Sequence, residues 1–190
     1  LDFTPLLCTS PPPESLTGYL AQVSRQVSGQ SYGMELLLRK QAGRLTGWVA
    51  YTLSRSERLF SCGLAPADYD QTHVLNVVAQ LRLPWRLMVG ARLFVQSGRP
   101  VTARQPPDGR ASVRNGERLP TTVQLDLRID REWIFKRFAI AAFLEAVNVT
   151  YGLAAFGLTY PQESGVTRYD QPQINGFNWI LPSIGVRGRF

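Results

Sequence analysis

From Ser31 onward the chain falls into runs of about ten or more residues in which apolar and polar positions alternate. Alternation with period two places successive side chains on opposite faces of a β-strand, and roughly ten residues is what a tilted strand needs to cross a bilayer. Seven runs are legible. In the first, about 31–40, Tyr32, Met34, Leu36 and Leu38 oppose Ser31, Gly33, Glu35 and Arg39, with Leu37 the exception. In the second, about 45–55, Leu45, Val49, Tyr51 and Leu53 oppose Thr46, Ala50, Thr52 and Ser54, and Trp48 breaks the pattern as a space-filling residue of the polar side. The third, about 71–83, sets Leu75, Val77, Ala79, Leu81 and Leu83 against Thr72, Asn76, Gln80 and Arg82. The fourth, about 85–98, sets Leu87, Val89, Ala91, Leu93 and Val95 against Arg86, Gly90, Arg92 and Gln96.

The fifth run is the cleanest, with Val123, Leu125, Leu127 and Ile129 against Gln124, Asp126, Arg128 and Asp130. Such a strand needs water or mutual pairing on one face and lipid or a core on the other. The sixth, about 134–148, directs Ile140, Ala142, Leu144 and Ala146 one way and Phe143 and Glu145 the other. The last is the terminal run, where Ile184, Val186, Gly188 and Phe190 alternate with Ser183, Gly185, Arg187 and Arg189. Connections alternate in length: Lys40–Arg44, Leu83–Arg86 and Asp130–Lys136 are tight, whereas 55–70, 99–119 and 149–179 are long and rich in Gly, Pro, Asn and charge. Outer-membrane barrels have short periplasmic turns and long extracellular loops. With the terminal strand ending in the periplasm, counting backwards puts the three long connections outside. Trp85, Trp133, Phe135, Trp179 and Phe190, near run ends, suit membrane-interface girdles. A soluble sandwich also alternates, but its strands usually run about 5–6 residues.

The expected class is therefore all-β, made of antiparallel transmembrane barrel strands. The 190 residues with 44% apolar content give the balanced hydropathy of an ordinary soluble chain, which barrel strands also produce because half their residues face water. No run of about 18 apolar residues exists to make a membrane helix. The chain opens on Leu1 with no signal-like segment, and an upstream part is expected to be missing. The formal charge is +7, carried almost entirely by Arg, with Lys40 and Lys136 the sole lysines. The arginines are spread along strands and loops, so a nucleic-acid partner is not expected. Cys8 and Cys62 lack metal or redox spacing and read as incidental.

Seven segments in order resemble successive barrel segments of TonB-dependent outer-membrane receptors. They are Ser31-Tyr32-Gly33-Met34-Glu35-Leu36, Gly47-Trp48-Val49-Ala50-Tyr51-Thr52-Leu53-Ser54, Asp68-Tyr69-Asp70-Gln71-Thr72-His73 and Ser97-Gly98-Arg99-Pro100. Leu125-Asp126-Leu127-Arg128-Ile129-Asp130, Leu144-Glu145-Ala146-Val147-Asn148 and the closing Leu181–Phe190 complete the set. The resemblance implies the C-terminal portion of a 22-stranded barrel, covering a third or less of it. It implies a location in the outer membrane of a Gram-negative bacterium and uptake of a scarce solute such as a siderophore, cobalamin or a carbohydrate. The implied partners are outer-membrane lipid, a plug and barrel strands absent from this chain, the barrel-assembly machinery, and the inner-membrane TonB complex acting through that plug. Phe190 resembles the aromatic assembly signal of such barrels.

Residues 1–30 depart from the family and read as an irregular segment, with Gly18–Ser24 the top of one further strand, ahead of barrel strands over 31–190. Three architectures remain open: a fragment of a full receptor, a truncated product, and a self-contained eight-stranded barrel with a structural or adhesin-like role, closed by residues near 17–26. An open sheet in lipid would leave two unsatisfied edges. No catalytic, cofactor or metal site is expected. Asp68, Asp70 and His73 form the one acid–histidine cluster, and alternation puts residues 70 and 73 on opposite faces, which suits an interface histidine better than a general base. The functional candidates are the polar row Glu35, Arg39, Gln80, Arg82, Arg92, Asp126, Arg128, Asp130, Glu145, Arg187 and Arg189, read as lumen-facing and touching a plug or ligand. Mutual charge pairing competes with guidance of an anionic ligand along this wall. Tyr151, Phe156, Tyr160, Tyr169 and Phe177 make 149–179 the expected ligand-facing loop.

Overall fold

In the computed structural model of the chain, residues 28–60, 63–102, 114–163, 166–167 and 173–190 are described. They form one antiparallel sheet whose seven main strands follow one another in chain order. The strands are β1 (Gly29–Lys40), β2 (Leu45–Phe60), β3 (His73–Leu83), β4 (Leu87–Gln96), β5 (Thr122–Ile134), β6 (Ala139–Val147) and β7 (Leu181–Arg189). A short strand, Gly63–Pro66, pairs with the outer end of β2. Each strand is joined to the next by the connection between them, so the sheet is a meander. Its ends, β1 and β7, each pair with a single neighbour among the described residues, and the sheet is open.

Register decides whether alternation in seven separate runs adds up to two continuous faces. One row of directly opposed residues reads Leu45, Leu81, Val89, Ile129, Leu144, Ile184 across six strands. The adjacent residues form the row Thr46, Gln80, Gly90, Arg128, Glu145, Ser183. A slip of one residue anywhere would have mixed the faces. Every apolar row expected from the sequence lies on one face, and every polar row lies on the other. Leu37 and Trp48, the exceptions, sit on the polar side, where Leu37 faces Ala50 and Trp48 lies between Arg39 and Val78.

Three tight turns close one end of the sheet, and each has a local cause. Gly43 takes φ +93° in the first, a region that costs an L side chain roughly 1–2 kcal/mol. Trp85 (φ 59°) and Arg86 (φ 56°) are both left-handed in the second, and the Leu87 N–H donates to the Pro84 carbonyl. Two successive left-handed residues make the type I′ hairpin turn, whose twist matches that of the strands. In the third, Phe135 donates to the Phe138 carbonyl at 2.8 Å and the two rings stack at 4.5 Å. β7 ends beside Ala139, at this same end.

Several boundaries differ from the sequence reading. Gly29 and Gln30 belong to β1, so the sheet starts before residue 31. Residues 55–60, expected in a loop, continue β2 because they pair with β1 on one side and Gly63–Pro66 on the other. The third turn is confined to 135–138, so the sixth strand starts at Ala139 rather than near 134. Chain leaves β4 at Gln96; at Gly98 a Cβ would collide with the Leu119 carbonyl. The 149–179 segment contains two small ribbons, Ala154–Thr159 with Gln173–Phe177 and Gln162–Glu163 with Val166–Thr167. Cys8, Cys62, Tyr169 and the further strand expected near 17–26 lie outside the described residues.

What the sheet does not carry, among the described residues, is a core. Among the described residues the buried apolar side chains are Leu119 and Ala139, both at the sheet's ends, and no large side chain is fully buried. Leu36, Leu127, Ile129 and Leu144 are each between 41% and 54% exposed, and Ile184 reaches 80%. Six interstrand gaps of about 4.8 Å and eight steps of about 3.4 Å along Leu75–Leu83 give an apolar face on the order of 800 Å². Soluble monomers rarely expose a contiguous patch beyond a few hundred Å².

Candidate functional site: the polar face and the long-connection rim

All eleven polar candidates stand on one face. Their centre is Arg128 on β5, whose Nη1 donates to Glu145 Oε2 at 3.0 Å and whose Nε and Nη2 donate to the two Asp130 oxygens at 2.9 and 2.8 Å. The guanidinium carbon also lies 3.9 Å from the centre of the Phe143 ring. That ring covers Gly185, its partner on β7, so closely that a Cβ there would collide with it. Arg128, Phe143 and Gly185 thus form a stack across three strands, with an aromatic covering a strand glycine. Upstream, Asp126 accepts from Gln124 Nε2 at 2.9 Å and from the Asn148 backbone N–H at 2.9 Å, with Arg92 at 3.9 Å. Arg189 and Glu132 approach to 3.7 Å. Of the two readings of this row, mutual charge pairing describes Arg92 with Asp126 and Arg128 with Glu145 between strands, and Arg128 with Asp130 within β5. Glu35, Arg39, Gln80, Arg82 and Arg187 share the face but stand outside this cluster.

The opposite rim, where the long connections leave, is held by the carboxylates of the acid–histidine cluster together with Arg118, Asn115, Arg114 and Ser56, which the sequence did not single out. The Asp70 side chain is 1% exposed and binds Arg118 Nη2, while its Oδ1 accepts from the Ser56 N–H at 2.7 Å. Arg118 Nη1 donates further to the carbonyls of Asp70 and Gly98. A buried carboxylate held by a guanidinium and a backbone amide is satisfied on every side, and it staples the connection after β2 to the one after β4. Asp68 accepts from Asn115 Nδ2 at 2.8 Å and faces Arg114 at 3.3 Å. His73 instead shares a 2.8 Å hydrogen bond between its ring Nδ1 and the Tyr51 hydroxyl on the apolar face, and its backbone N–H donates to Ser97 Oγ. The acid–histidine cluster is therefore split, with Asp68 and Asp70 tied into the long connections and His73 joined to Tyr51 and Ser97.

Asn148 organises the exit from β6. It is left-handed (φ 61°) and 8% exposed. Its Nδ2 donates to the Gly152 and Trp179 carbonyls at 3.0 and 3.2 Å, and its Oδ1 accepts from the Gly152 N–H at 2.9 Å. Of the loop candidates, Phe156 and Phe177 come together at 5.3 Å on opposite strands of a ribbon, and Trp179 joins Phe177 edge-on at 6.1 Å. Tyr151 is exposed at the start of the loop. Tyr160 lines an open concavity of about 500 Å³ between the 99–119 and 149–179 connections, with Thr102, Thr159, Gln162 and Thr167 and apolar Val101 and Leu158.

No protein-family model matches the chain, and no curated protein or solved structure matches it.

Proposed function

We propose that this chain is a wall of a transmembrane β-barrel in the outer membrane of a Gram-negative bacterium, with its apolar face in lipid and its polar face towards the barrel interior. The observation that carries the reading is the unbroken apolar face across seven strands with no core beneath it among the described residues. Along β3 the apolar positions Leu75–Leu83 span about 27 Å, or about 21 Å at a tilt of about 40°, against an apolar band of about 25 Å in such barrels. Exposed Trp85, Trp133, Phe135, Phe138 and Phe190 gather at the tight-turn end, as an interfacial girdle requires.

Within that reading the chain is the C-terminal part of the barrel of a TonB-dependent receptor, taking up a scarce solute; the seven ordered segments support this. Strand direction favours a larger barrel over self-closure of the described strands. β1 and β7 both run towards the tight-turn end, so joining them edge to edge would be parallel, and antiparallel closure needs an odd number of further strands. Refolding the full chain from denaturant in buffer and with phospholipid vesicles tests the membrane assignment. Strand-rich circular dichroism and protease protection should appear with vesicles, and aggregation in buffer. A monodisperse, strand-rich monomer in buffer would overturn it.

A further inference from the structure

The arginines that are scattered in sequence are not scattered in space. Around the first tight turn stand Arg39, Lys40 and Arg44, and around the second Arg82 and Arg86. The third gathers Arg131, Lys136 and Arg137, and the end of β7 adds Arg187 and Arg189. All ten are exposed. The side-chain carboxylates at this rim are Asp130, already held by Arg128, and Glu132, which faces Arg189. Among the described residues the other nine cations have no carboxylate within 4.0 Å. At the long-connection rim the balance differs: Arg55, Arg58, Arg99, Arg114 and Arg118 are set among Glu57, Asp68, Asp70 and Glu117, and three of the five are paired.

The rim carries cations on both sides of the sheet: Arg39, Arg82, Arg187 and Arg189 stand on the polar face, while Lys40 and Arg131 emerge on the apolar face, where the Arg131 guanidinium lies 5.2 Å from the Trp133 ring centre. Beyond them come the exposed aromatics of the turns, with Trp85 82% exposed. Cations bordering an apolar surface, interleaved with Trp and Phe, match the phosphate level of a lipid leaflet, where arginines meet anionic oxygens and aromatic rings sit among headgroups. We propose that the tight-turn rim is a binding surface for anionic phospholipid headgroups and fixes the depth of the sheet in one leaflet. This rests on the membrane reading above and adds the headgroup charge and the end of the sheet that meets it. An acidic protein docking from the interior would meet only the polar-side cations, whereas a headgroup layer also engages Lys40, Arg131 and Trp133 on the apolar side.

Co-flotation of the full chain with vesicles of phosphatidylcholine alone, or with one-fifth phosphatidylglycerol, tests it. Each cation near an anionic surface contributes roughly fivefold to partitioning. The chain should therefore prefer the anionic vesicles by well over about tenfold at low salt, the preference falling as salt rises. Arg44→Gln, Arg86→Gln and Arg137→Gln together should remove at least about tenfold of that preference. Arg55→Gln, Arg58→Gln and Arg114→Gln, the same change in net charge at the other rim, should leave it within about twofold. Lysine at positions 44, 86 and 137 should restore it, which separates charge from misfolding. Equal loss in both triple variants, or none in the first, would overturn the proposal while leaving the membrane reading intact. Failure to float with either vesicle would remove both.

Discussion

Gly185→Ala introduces one methyl group where the Phe143 ring already lies. The new Cβ would stand 2.5 Å from Cζ and 3.3 Å from Cδ1, and closer still to Cε1, so the ring must shift by about 1 Å to reach ordinary contact distance. Overpacking of that kind costs about 1–3 kcal/mol. The ring also supports the Arg128 guanidinium, and disturbing a half-exposed cation–π contact adds about 0.5–1 kcal/mol. Against this, replacing a strand glycine by alanine restores about 0.5–1 kcal/mol of backbone entropy. The net expectation is a loss of about 1–2 kcal/mol in the presence of Phe143. In a Phe143→Ala background the steric term vanishes and Gly185→Ala becomes neutral or stabilising, giving a coupling of about 1.5 kcal/mol or more. Urea unfolding of the chain in detergent micelles, followed by tryptophan fluorescence for the four members of the cycle, measures it. Additivity within about 0.5 kcal/mol would refute the stack.

Arg86→Gly should stabilise the second turn by about 0.5–1 kcal/mol, because glycine relieves the left-handed strain at less entropic cost; the same unfolding assay reads it. Asn148→Asp turns a donor facing the Gly152 and Trp179 carbonyls into a carboxylate, and hydrogen exchange at residues 149–152 should accelerate about tenfold or more. Glu57, at the outer end of β2, is held below the usual carboxylate range by hydrogen bonds from Gln30 and then Arg55. Its folded pKa lies below the unfolded one, so its stabilisation is present at neutral pH and lost as pH falls through the depressed value. Gln30→Met should move the Glu57 titration, followed by carbon NMR, upwards, and a fixed midpoint would contradict the assignment.

Face assignment was legible in the sequence because it depends on a period-two pattern that local residues set and register preserves. Val123–Asp130 shows this best, since each of its eight side chains falls on the expected face. Strand ends were less legible. The extension of β2 to Phe60 depends on pairing with Gly63–Pro66 and with Gly29, contacts that no local signal announces. The type I′ turn at Trp85-Arg86 carries neither Asn nor Gly, the residues by which such turns are usually read. The Asp70–Arg118 staple joins residues 48 apart, and the cationic rim arises only when three turns are brought to one end. Both depend on tertiary arrangement, and the even spread of arginine along the chain conceals them.

With the apolar face in lipid, odd-numbered residues of β5 meet lipid and even-numbered ones do not. Nitroxide labels placed singly at positions 123 to 130 of the full chain in phospholipid vesicles, with Cys8 and Cys62 replaced by serine, report collision with oxygen and with a polar nickel chelate. Oxygen access should peak at Val123, Leu125, Leu127 and Ile129, with the chelate reaching Gln124, Asp126, Arg128 and Asp130 instead. A profile with no period of two, or odd positions shielded from both reagents, would contradict the account.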